Sequence, residues 1–369
     1  MSRFRILVVG GYGFFGRRLV ERLARHPSLH IQIAGRAVAK AEALIREVEP
    51  APDAELEAVA LDSRKQSLAD ELMRLGPQLV IDASGPFQGA DYRVPLACIA
   101  ARIDHIDLAD GRAYVCGIDT LHEAALAAGV SVVSGASSVP ALSSAAADHL
   151  SAGLVDVRSI DVGISPGNRT ERGLSTVRAI LSYSGKPLPS RSSTPVFGWS
   201  GSRRHRYPAP VGLRMLSPCD VPDLVLLPVR YAGTPEVRFG AGLELPFLHR
   251  GMNLMAWMAR AGWVSDWSRH ASWLSRASDL FRRWGSDAGA MHVTVEGRDE
   301  RGEVVFRTWH LVATEGDGPY VPTLAAAALV RKLREGTIAR GAFPCVGLLT
   351  LADFAREMDG LAIRTEVLA

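Results

Sequence analysis

Through residues 4–134 short, continuous apolar runs alternate with stretches whose apolar positions recur at helical spacing. Segments 6–9, 31–36, 56–61, 78–83, 104–108 and 130–133 read as strands; 15–23, 66–75, 91–101 and 119–128 read as helices. Strands of this kind are apolar on both faces, which predicts a Rossmann-type α/β domain with a doubly wound parallel sheet. Beyond about residue 150 the pattern changes to longer strands at 159–165, 236–244, 291–297 and 304–313, with frequent prolines. These predict a second, α+β domain on a largely antiparallel sheet with helices on one face. Residues 322–334, bounded by Pro322 and Gly336, read as a helix. The expected divisions are 1–140 for the dinucleotide-binding domain, 141–315 for a substrate and dimerisation domain, and 316–369 for a C-terminal helix and tail returning to the first domain.

The first strand runs into Gly10-Gly11-Tyr12-Gly13-Phe14-Phe15-Gly16 and then a helix. In Gly11-x-Gly13-x-x-Gly16 the three glycines serve different ends, namely a tight turn, an open approach for pyrophosphate, and close packing of helix on strand. N–H groups of the first helical turn face the phosphates, and the helix dipole favours their charge. Such a motif is common in isolation, but here it stands between a strand and a helix, the context a dinucleotide site requires. Gly11, Gly13, Phe14, Phe15 and Gly16 are therefore expected to bind the cofactor. The second strand ends in Ala34-Gly35-Arg36. A carboxylate at that point bonds a ribose 2′-hydroxyl, whereas an arginine pairs with a 2′-phosphate. Arg36, with Arg17 and Lys40 as candidate neighbours, makes NADP(H) the expected cofactor; the competing reading is a solvated loop arginine.

Ligands of doubly wound sheets sit at the carboxyl ends of the strands. Asp62 and Ser84-Gly85-Pro86 follow strands there and are expected to reach the cofactor, although Ser84-Gly85-Pro86 also reads as a plain helix-initiating turn. His105 and Asp107 fall on one face of the fifth strand by alternation. An imidazole titrating near neutrality suits proton transfer, so both are catalytic candidates; the alternative is polar residues bonding nearby backbone.

A chain of 369 residues suits two domains, and a formal net charge of +3 gives no field that argues for nucleic acid. Cys98, Cys116, Cys219 and Cys345 are too scattered for a paired metal motif or a disulfide framework. No metal is expected, and a reducing cytoplasm is the expected compartment. The apolar run after Arg3 and Arg5 ends in glycines, which favours a strand over a signal peptide.

The turn at Gly10 to Gly16, Ala34-Gly35-Arg36, Asp82-Ala83-Ser84-Gly85-Pro86-Phe87, Cys98 through His105-Ile106-Asp107-Leu108, and Gly129 to Gly135 together resemble the saccharopine dehydrogenase-like, or saccharopine reductase-like, NADP-binding oxidoreductases. The resemblance spans roughly the first 140 residues. It implies a two-domain enzyme that moves hydride at a C–N bond of a small, amino-acid-like substrate; a homo-oligomer, as a homodimer, is the expected assembly. Two other readings stand beside it: a non-catalytic NADPH-binding regulator, and a reductase of a lipid-like substrate.

In the second domain Asn168, Arg169 and Arg172 precede a helical pattern and offer a fork and amide for a substrate carboxylate, or else a solvated capping loop. Residues 201–207 form a second basic cluster, more readily a solvated surface. Residues 250–284 are rich in Trp and Met and read as one or two amphipathic helices, broken by charge well before the roughly 20 apolar residues a membrane span needs. A lid or core helix, a subunit interface, and peripheral membrane contact are the three readings of this segment.

Overall fold

A computed structural model describes residues 3–48, 53–191 and 194–368. They form two units: Met1–Ala141 with Tyr320–Leu349, and Leu142–Pro319 with Thr350–Ala369.

The first unit carries β1 (Phe4–Val9), β2 (Leu29–Gly35), β3 (Glu55–Ala60), β4 (Leu79–Asp82), β5 (Asp104–Asp107) and β6 (Ser131–Ser134). All pair in parallel. Ile6, Leu7 and Val8 are wholly buried because helices cover both faces of this sheet, which is why the strand reads as a continuous apolar run. One face packs Leu7, Val9 and Val80 against Leu68, Leu72, Val94 and Cys98 of the crossover helices Leu68–Leu75 and Arg93–Ala101.

The second unit carries β7 (Leu154–Ser165), a small hairpin of β8 (Pro187–Leu188) and β9 (Val196–Phe197), then β10 (Arg203–Arg206), β11 (Leu213–Pro218), β12 (Glu236–Ala241), β13 (Gly289–Asp299) and β14 (Val304–Ala313). The pairing of β12 with β7 is parallel and the others are antiparallel. The helix Ser143–Ser151 packs against β7, β13 and β14. The opposite face of these strands presents Asp161, His292 and His310.

The last two strands divide between the units. β15 (Gly341–Pro344) pairs in parallel with β6 and completes the seven-stranded order β15-β6-β5-β4-β1-β2-β3. β16 (Ile363–Leu368) pairs antiparallel with β14 and ends the second sheet, β10-β11-β12-β7-β13-β14-β16. The expected return of the whole tail to the first domain is therefore corrected for residues 350–369. β16 is an edge strand with most residues exposed, so its sequence carries little of the apolar signal that marks a buried strand.

Candidate functional site

The carboxyl ends of β1 to β4 bring most of the expected cofactor residues onto one edge of the first unit. Gly10 takes φ +72, and a Cβ there would press on Ser84 Cα at 3.0 Å, so the glycine turn lies directly against the strand end of β4. A Cβ on Gly16 would run into the Gly10 carbonyl and lie 2.8 Å from Gly11 Cα. The helix Phe14–Leu23 begins at Gly13 with no side-chain cap and no acidic residue in its first turn, leaving its leading N–H groups open to an anion. Phe14 and Phe15 pack edge to face at 4.9 Å, and the Arg18 guanidinium sits 4.1 Å over the Phe14 ring. These two aromatics flank the glycine turn as part of the helix start.

Arg36 is exposed immediately beyond β2. A residue not expected from sequence sets its position. Tyr12 lies across Gly35, where any Cβ would collide with its ring, and its hydroxyl accepts the Ala37 N–H at 3.0 Å. The signal was available: a bulky residue inside the glycine turn faces a glycine at the end of the neighbouring strand. Asp62 accepts the Arg64 backbone and side-chain N–H groups, both at 3.2 Å, and Arg64, with Arg36 contributing at longer range, holds its carboxyl below the ordinary value. Arg17 is not free to assist Arg36, since it pairs with Glu21 at 2.7 Å and Glu47 at 2.8 Å.

Ser84 donates its N–H and its hydroxyl to the buried Asp82 carboxylate at 2.8 and 2.6 Å, which fixes the loop leading into Gly85 and Pro86. The catalytic expectation for His105 and Asp107 meets a different environment. Both are wholly buried. His105 lies between β4 and β6, burial lowers it to about 3, and neither ring nitrogen bonds another described residue. A substrate does not reach such a ring, so the structure gives His105 a core position. Asp107 is a positioning residue: one oxygen accepts Ala109 N at 3.0 Å, Gly135 N at 2.8 Å and Ser134 Oγ at 2.9 Å, tying the loops after β5 and β6 together.

Burial pushes the Asp107 carboxyl from 3.8 to about 7, against the opposing pull of its donors. Between those values the unfolded chain releases the proton first, so the contribution of Asp107 to stability falls as pH rises through this window. Asp107→Asn keeps an acceptor for the three donors and removes the titration. Its melting temperature relative to wild type is expected to climb between about pH 4 and pH 7 and then level off. A difference that stays flat with pH contradicts a protonated, buried Asp107.

In the second unit Asn168 and Arg172 form a latch. The Asn168 amide donates to the carbonyls of Phe281 and Trp284 at 2.7 and 2.9 Å, and its oxygen accepts Arg172 Nη2 at 3.2 Å. Its N–H, together with Ser286 and Arg214, is received by Glu244. Asn168 is buried, so its expected role as a substrate ligand is corrected: tertiary contacts occupy it on both sides. Arg172 is turned to the same latch, and Arg169 alone of the three is exposed.

The same unit holds a cluster that the basic reading of 201–207 concealed. His205 stacks on His292 with centroids 3.6 Å apart and planes 4° apart, and its Nε2 lies 3.0 Å from Nε2 of His310. His292 Nδ1 meets the Tyr207 hydroxyl at 2.9 Å, and its other nitrogen faces Asp161 at 3.7 Å. Asp161 also receives the Arg203 guanidinium. Burial, aided by the neighbouring imidazoles, lowers His205 to about 3, so its ring is neutral, and a weak base, at the half-buried end of a polar chain. Arg203, His205 and Tyr207 alternate in sequence, which was the available signal that they share one strand face. Among the described residues no set of three or more His, Cys, Asp or Glu is arranged to hold a metal ion. Nor is any described helix long and apolar enough to cross a membrane.

Residues 6–138 match the family described as saccharopine dehydrogenase NADP binding domain. Among curated proteins nothing matches the chain. Among solved structures it is similar to the apo saccharopine dehydrogenase (L-Glu forming) of Saccharomyces cerevisiae, with TM-score 0.68 and 14% identity over 99% of this chain and 100% of that one. It is also similar to an amine dehydrogenase from Mycobacterium smegmatis, with TM-score 0.51 and 10% identity over 93% and 95% of the two chains. At these identities the likeness is one of fold.

Proposed function

We propose that this chain, an NADP-dependent oxidoreductase whose residues 6–138 belong to the saccharopine dehydrogenase NADP-binding family, transfers hydride at the C–N bond of an amino-acid-like substrate. The observation that carries this reading is the edge of the first unit, where an uncapped helix start, the glycine turn against Ser84, and the exposed Arg36 fit the pyrophosphate and 2′-phosphate of NADP(H). When bound, that cofactor supplies the hydride chemistry, and the protein supplies positioning and electrostatics. Gly13 and Gly16 let the uncapped helix start approach the phosphates, Tyr12 holds the Arg36 loop, and Arg36 reads the extra phosphate. Arg169, exposed in the second unit, is the remaining arginine suited to a substrate carboxylate.

Arg36→Asp tests the cofactor half of the proposal. A charge-assisted bond to phosphate is worth about 1.5–3 kcal/mol, so NADPH affinity is expected to fall roughly 10- to 100-fold, with NADH affinity little changed. Equal losses for both cofactors would remove Arg36 from the 2′-phosphate site. NADPH consumption across paired amines and carbonyls, with acyl substrates as the contrast, tests the reaction half. The burial of His105 and Asp107 favours a second reading, an NADPH-binding regulator; tight NADPH binding without turnover on any pair would select it.

A further inference from the structure

The segment read from sequence as a lid, an interface or a membrane-surface element is a pair of helices in the second unit, Pro246–Arg260 and Ala271–Asp279, the second packed on the helix Leu174–Ser182. Its ends are joined: the Phe247 ring meets those of Phe281 and Trp284 at 5.0 and 6.0 Å, and the Trp267 indole donates to the Met255 carbonyl at 2.8 Å. The fully buried positions of the two helices are His249, Ala256 and Ala271, while the large apolar side chains point out. Leu254 and Trp257 are 57% and 52% exposed on the first helix, Trp263 is 68% exposed beyond its end, and Trp273 and Leu280 are 67% and 79% exposed on and just after the second. Leu254 and Trp257 are three apart, and Trp273, Arg276 and Leu280 follow helical spacing, so each helix shows an outward stripe. A core helix or a closed lid would bury these rings.

Charge selects the occupant. Residues 246–284 hold six arginines and two aspartates, with no lysine or glutamate, whereas the whole chain carries only +3. A two-fold contact between copies through this surface would set one positive patch against its twin, which like-charge repulsion opposes. A negatively charged partner relieves the repulsion. The outward rings keep half or more of their surface exposed, Trp257 and Trp263 meeting edge to face, as suits insertion into the boundary between lipid headgroups and acyl chains, where Trp is favoured and a matching socket is unnecessary.

We propose that this pair of helices docks the protein on the surface of an anionic lipid bilayer, with Trp257, Trp263, Trp273 and Leu280 entering the interface and the arginines meeting the headgroups. The inference stands apart from the catalytic reading, and either can fail alone. The test is co-sedimentation of the full chain with vesicles of phosphatidylcholine plus phosphatidylglycerol, against phosphatidylcholine alone, with tryptophan emission recorded. Expected are affinity at least about tenfold higher for the anionic vesicles, weakening as salt is raised, and a blue shift on binding. Trp263→Ser with Trp273→Ser is expected to lower that affinity at least about tenfold while NADPH affinity holds. Arg276→Glu with Arg283→Glu, which leaves the aromatics in place, is expected to weaken anionic binding similarly if the first pair misfolds. No sedimentation with either vesicle, equal affinity for both, or undiminished binding by both double variants overturns the proposal. Loss of an oligomer in the tryptophan variant without a change in vesicle binding overturns it in favour of an interface between copies.

Discussion

Gly16→Val is expected to lower NADPH affinity by at least about 100-fold and to destabilise the first unit by about 1–3 kcal/mol. A Cβ at this position meets the Gly10 carbonyl oxygen, Gly11 Cα and the Gly10 carbonyl carbon, all backbone atoms without a rotamer to move aside. The helix Phe14–Leu23 must therefore shift away from the turn, carrying with it the N–H groups proposed to hold the pyrophosphate. Fluorescence titration with NADPH, alongside thermal unfolding, measures both effects. An affinity within about threefold of wild type would show that this helix start does not hold the phosphates.

Glu244→Ala is expected to remove about 3–5 kcal/mol from the stability of the second unit, the usual scale for breaking a buried pair from one side. The Glu244 carboxylate is 11% exposed and its partner Arg214 6%, at 3.0 Å. The same carboxylate receives Asn168 N at 2.7 Å, Ser286 N at 2.9 Å and Ser286 Oγ at 2.8 Å, so alanine strands a guanidinium and two backbone donors together. Burial pulls the carboxyl upward, but the Ser286 and Asn168 donors and Arg214 outweigh it and hold it below the ordinary value. Its contribution is present above the unfolded pKa and is lost as pH falls through the lower folded value, so the variant should lack part of the wild-type acid transition. Chemical denaturation across pH measures this; a stability loss below about 1 kcal/mol would mean the latch is not held by Glu244.

The first unit was legible because the central strands of its parallel sheet are buried on both faces and show as apolar runs, as at Ile6 to Val9. β16 escaped because an exposed edge strand has no such run. The close packing expected at the third glycine was legible because backbone geometry alone decides it: a Cβ on Gly16 would meet the Gly10 and Gly11 backbone. Residue roles were not legible where a distant segment supplies the partner: Asn168 is occupied by Phe281 and Trp284, more than a hundred residues on, and Arg17 is taken by Glu47. His105 satisfied the sequence criterion for a cleft residue, yet alternation tells which residues share a face and not whether that face is covered. Helix Arg93–Ala101 supplies buried residues to the core on that side of the sheet. The imidazole cluster depended on β10, β13 and β14 coming together, a contact that no local pattern encodes.

Whether NADPH bound at the Gly11 to Gly16 turn reduces a C–N bond is decided by following the hydride itself. NADPH deuterated at C4 of the nicotinamide, in both stereochemical forms, is supplied with amine and carbonyl pairs, and the label is located by mass spectrometry and NMR. Deuterium from one of the two forms is expected on the carbon bonded to nitrogen, with transfer abolished in Gly16→Val. Label found on a carbon–carbon bond, or no transfer from a chain that binds NADPH tightly, would contradict hydride delivery to a C–N bond.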